Sequence, residues 1–79
     1  MSDIKQQSAG LTGISDIAYD LMIVMANKLE GIAAMEEYKQ DADEAGDADC
    51  SALFARMQQQ DRETVGHLRA HLLRHLQQG

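Results

Sequence analysis

An all-α fold, built as an antiparallel hairpin of two long helices, is predicted by three observations. No proline occurs in 79 residues and aromatic residues make up only 4%, a composition that leaves helices unbroken and gives little to a sheet. Apolar residues recur at helical spacing in two long segments. A short acidic stretch holding Gly46 separates those segments. With 44% hydrophobic residues the chain is too apolar for a disordered one, and its length allows one small domain.

Residues 1–11 are polar and small with no sustained period, which reads as a frayed tail. Thr12 or Ser15 can cap the first helix, since each offers a side-chain oxygen to the free N–H groups ahead of an apolar run. Helix one then extends over about 12–40. At 100° per residue, Ile14, Ile17, Leu21, Val24, Met25, Leu29, Ile32 and Met35 fall on one side of it.

The segment 41–47 reads as the turn, with Gly46 as the helix stop and Asp47 as the next N-cap. Helix two covers about 48–77, with Cys50, Leu53, Phe54, Met57, Val65, Leu68, Leu72 and Leu76 on its apolar side. Lys28 interrupts the first stripe and Asp61 the second. Both lie about 16 residues from the middle of the turn, so a common rise of 1.5 Å per residue sets them at one height. A lysine–aspartate pair inside the seam is the expected result.

A two-helix hairpin of this size is marginal alone, because a small domain buries only about 60% of the surface its unfolded chain exposes. Cys50 is the only cysteine, so no intrachain disulfide can staple it. Two hairpins joined as a four-helix bundle would bury both stripes, which makes a homodimer the minimum assembly expected. The formal net charge of −6 opposes binding to nucleic acid or to an anionic membrane surface. Leu21–Ala26 is far short of the ~20 apolar residues of a membrane span. A single thiol and no secretory signal fit a reduced, cytoplasmic setting.

The succession Asn27-Lys-Leu-Glu30, Ala33, Tyr38, Ala42, Gly46-Asp47 and Leu53-Phe54 resembles one half of a ferritin-like or rubrerythrin-like domain, over roughly residues 17–76. The resemblance is to the small single-hairpin type, such as the encapsulated ferritins, and implies a four-helix bundle made from two chains. It also implies an iron site built from a glutamate on the first helix and a Glu-x-x-His pair on the second. Those positions fall on Lys28, Asp61 and Thr64 here. An ammonium repels a cation and threonine offers no imidazole, so the chain departs from that pattern and no cofactor is expected.

Glu63, His67, His71 and His75 recur every four residues, a spacing at which histidines can chelate a divalent metal. A plain helix surface, with bases favoured near a helix C-terminus, is the preferred account of the row. Met22, Met25, Met35 and Met57 read as core filling, and Cys50 as a buried structural thiol. The reading is therefore a metal-free assembly or interaction module, with enzyme activity left open. The alternative is an iron or other divalent-metal protein of ferroxidase type that recruits Asp61, Glu63 and His67 with Glu30, Glu37 or His71. A helical metal-sensing repressor is a remote third option that the acidic charge opposes.

Overall fold

The computed structural model describes residues 10, 11 and 13–78, and it is a hairpin of two helices, α1 (Asp16–Glu44) and α2 (Ala48–Gln78). The described part measures 52 × 22 × 15 Å. Of the tail, residues 1–9 lie outside the described residues, as does Thr12, while Gly10 and Leu11 have helical backbone. Helix one starts and ends about four residues later than its spacing predicted. The start is set by Ser15, whose hydroxyl accepts a hydrogen bond from the Ala18 N–H at 3.2 Å, the N-cap interaction.

The turn is shorter than expected, because Asp41, Asp43 and Glu44 belong to the last coil of α1. The Gly46 N–H bonds the Asp43 carbonyl at 3.0 Å and the Asp47 N–H bonds the Ala42 carbonyl at 2.9 Å. Such a pair of bonds closes a helix when the residue after its cap is left-handed. Gly46, at φ 73°, supplies that conformation without a Cβ clash. Asp47 then caps α2, its Oδ1 accepting from the Cys50 N–H at 3.0 Å.

The packing seam is narrower than the predicted stripes. On α1 the least exposed side includes Ala18, Leu21, Met25, Lys28, Ile32, Met35, Lys39 and Ala42, and on α2 it includes Phe54, Gln58, Asp61, Val65, Leu68 and Leu72. Steps of three and four alternate along both rows. That seven-residue repeat is the period of a coiled-coil seam, narrower than the stripe of a helix covered on several sides.

Only Ala18, Ala42, Leu72 and Gln58 are buried among the described residues. The apolar sets drawn from the sequence are thus corrected in part: Ile17, Val24 and Leu29 on α1, and Leu53, Met57 and Leu76 on α2, stay exposed. One neighbouring helix can cover only one line of side chains. Met22 and Met57 likewise sit on the surface rather than in a core, while Met25 and Met35 are half-buried.

Candidate functional site

Midway along the hairpin, Lys28 and Asp61 stand at the same height, as their equal separation from the turn predicts. Lys28 Nζ donates to Asp61 Oδ1 at 3.5 Å, and the two side chains keep 42% and 17% of their exposure. The ammonium snorkels outward from its apolar stem while the carboxylate stays closer to the seam. Gly31 lies one turn on, and a Cβ there would be 3.9 Å from Asp61 Oδ2. The glycine therefore leaves the carboxylate open on that side.

One turn of α2 closer to the hairpin end, Gln58 is 2% exposed and its Nε2 donates to the Ile32 carbonyl at 3.0 Å. This buried amide is a polar contact that the sequence reading missed. Its signal was present in the three-and-four spacing, which puts Gln58 in line with Phe54, Asp61 and Val65. Lys39, also on the seam side of α1, pairs with Glu36 at 3.1 Å. Hydrogen bonding and charge from Lys39 hold the Glu36 carboxyl below its usual range.

At the turn end, Tyr38, Asp41, Ala42, Ala45, Asp47, Cys50 and Phe54 line an open cavity of about 320 Å³. The Tyr38 and Phe54 rings meet with centroids 5.9 Å apart and planes tilted by 56°, within the range of favourable aromatic pairs. Cys50 is exposed, which corrects the expectation of a buried thiol. It occupies the first turn of α2, beside the seam line that runs through Phe54 and Gln58.

The Cys50 thiol is held above its usual range by hydrogen bonding to Asp47 and by that residue's charge, with burial and Asp49 adding to the effect. The neighbouring acids thus override the helix N-terminus, which alone would lower a thiol pKa. Replacement Asp47→Asn should accelerate alkylation of Cys50 at pH 8 several-fold, with its pH–rate profile displaced to lower pH. Stopped reactions with iodoacetamide measure this, and an unchanged profile would refute the assignment.

Asp47 itself is held below its usual range, first by the Cys50 backbone N–H. Its folded pKa is depressed, so its contribution to stability is present above the ordinary carboxylate pKa. The contribution is lost as pH falls through the lower folded value.

The remaining candidates do not converge. Glu30, Glu37, Glu63, His67 and His71 are exposed and Asp61 is half-buried, and among the described residues no three of His, Cys, Asp and Glu gather closely enough to hold a metal ion. Of the three histidines in that row, only His75 is half-buried. His71 Nδ1 lies 3.1 Å from Arg74 Nη2. A guanidinium can only donate, so the ring accepts there.

Among the described residues no helix is long and apolar enough to cross a membrane. The chain matches no family model, and no curated protein or solved structure matches it.

Proposed function

We propose that this protein is a cytoplasmic, metal-free assembly module whose working form is at least a homodimer, two hairpins packed as a ferritin-like four-helix bundle. The observation that carries the proposal is the apolar surface left over by the hairpin. Ile17, Ile23, Val24, Leu29, Leu53 and Leu73 are each between 43% and 56% exposed, and at about 25 cal/mol per Å² such area is a strong drive to association. The small buried set gives a lone hairpin little to stand on. Lys28 and Asp61 supply a neutral polar centre in place of metal ligands, which supports the metal-free part of the reading.

Sedimentation equilibrium across a wide concentration range tests it, with a species of twice the chain mass expected. A compact, thermally stable monomer overturns the proposal. Elemental analysis after growth in iron, with an oxygen-consumption assay, tests the alternative of a ferroxidase-type protein. Stoichiometric bound iron or turnover would overturn the metal-free reading.

A further inference from the structure

We propose that the cavity at the turn end binds a small organic cation, an apolar body carrying an ammonium group, with Asp41 as its counter-ion and the Tyr38 and Phe54 rings among its walls. The inference goes beyond the assembly reading and does not depend on it.

Each arm of the hairpin contributes one side of the cavity. Tyr38, Asp41, Ala42 and Ala45 recur at the helical spacing along α1, and Asp47, Cys50 and Phe54 do so along α2 and its cap, so each set shares a face. The two alanines leave room that larger side chains would fill. The resulting volume of about 320 Å³ lies at the lower end of the ~300–1,000 Å³ of small-molecule clefts, and the wall is mostly apolar. The Tyr38 and Phe54 rings, with centroids 5.9 Å apart and planes tilted by 56°, border it at an angle that suits a rounded ammonium or methylene group better than a flat one. A cation within about 6 Å of a ring centroid is drawn to the electron-rich face of the ring.

Charge selects the class of ligand. No lysine, arginine or histidine lines the cavity, which disfavours an anion. Around it stand Asp41, Asp43, Glu44, Asp47 and Asp49, and the nearby Lys39 is already paired with Glu36 at 3.1 Å. The local potential is therefore negative and concentrates cations. A bare divalent ion needs more oxygen ligands than the lining offers, since Asp47 Oδ1 already accepts from the Cys50 N–H and among the described residues no three metal-ligating side chains gather.

Asp41 is the acid that the fold itself does not explain. Asp47 and Asp49 suit the start of α2, where the helix dipole favours a carboxylate. Asp41 stands in the last turn of α1, which holds no basic residue and where the dipole disfavours an acid. Among the described residues no ion pair engages it. On a solvated surface that would be a small local cost without a purpose. Beside an aromatic cavity, a bound ammonium supplies the positive charge that this helix end lacks, and a local rule broken at such a place marks a functional position.

Titration of the full chain with phenethylammonium, followed residue by residue in proton–nitrogen correlation spectra, tests the inference. Phenethyl alcohol and phenylacetate serve as the neutral and anionic counterparts. Saturable shifts are expected at Tyr38, Asp41, Ala45 and Cys50 with the ammonium, the alcohol binding about fivefold more weakly and the carboxylate more weakly still. Asp41→Asn should lower the ammonium affinity about fivefold, whereas Asp43→Asn, a neighbouring acid outside the lining, should lower it by less than about twofold. Tyr38 is 48% exposed, so Tyr38→Leu keeps an apolar wall without the ring and should weaken the ammonium more than the alcohol.

Equal affinities for the ammonium and the alcohol would overturn the selection for a cation. Equal losses in Asp41→Asn and Asp43→Asn would reduce the effect to diffuse attraction by an acidic tip and overturn the assigned site. Absence of saturable shifts with all three compounds at millimolar concentration would overturn the proposal outright, and would leave the dimer reading untouched.

Discussion

Lys28→Glu should weaken the dimer by about a hundredfold or more, because it leaves Asp61 facing a like charge instead of an ammonium. In the separated hairpin the 3.5 Å pair is partly solvated, where an ion pair contributes only about 0–1 kcal/mol. Once a second copy covers the centre, water can no longer stabilise the carboxylates. Breaking a pair in such a setting costs about 3–5 kcal/mol, and the lower figure corresponds to a hundredfold in dissociation constant. Sedimentation equilibrium measures the change, and the double variant Lys28→Glu with Asp61→Lys should recover most of it by restoring opposite charges. Equal dissociation constants for the parent and the single variant would exclude the pair from the interface.

Gln58→Ala should destabilise the fold by about 2 kcal/mol, the sum of a lost buried hydrogen bond and a lost side chain in the seam. Gln58→Met separates the two contributions, since it keeps most of the volume and removes only the bond to the Ile32 carbonyl. A carbonyl has two lone pairs and the helix already uses one of them, so the methionine variant should lose no more than about 1 kcal/mol. Urea midpoints at one fixed protomer concentration test the ordering. Equal losses in both variants would mean that Gln58 acts through its hydrogen bond and not through its volume.

Much of the architecture was legible in the chain. Gly46 and Asp47 marked the stop and the restart, Ser15 was one of two caps named, and equal distances from the turn placed Lys28 beside Asp61. Errors arose where a local rule met a longer-range one. Asp41, Asp43 and Glu44 looked like loop residues, yet the closing bonds from Gly46 and Asp47 draw the helix through them. That leaves three acids at a helix end where the macrodipole disfavours them.

The apolar stripes were drawn for a helix covered on several sides. A single antiparallel neighbour meets only a seven-residue repeat, so Ala18, Ala42 and Gln58 are buried while Ile17 and Leu29 are not. Cys50 was placed on a stripe wider than the seam, and like Met57 seven residues on it lies to one side of the line through Phe54 and Gln58 and is exposed. The cavity at the turn end was not drawn from the sequence, because Tyr38 was left off the apolar stripe although its distance from the turn sets it within one helical turn of Phe54.

The three-residue link from Ala45 to Asp47 also shapes how the molecule forms and comes apart. Residues just before and just after it are near neighbours in sequence, so their first contacts close a very small loop at low entropic cost. Each further pairing along the rods then adds only a small increment of closure, and structure grows like a zip from the fastened end. Hairpin contacts at the far end span almost the whole chain, so the ends holding Ser15 and Gln78 are the first to part and the last to join.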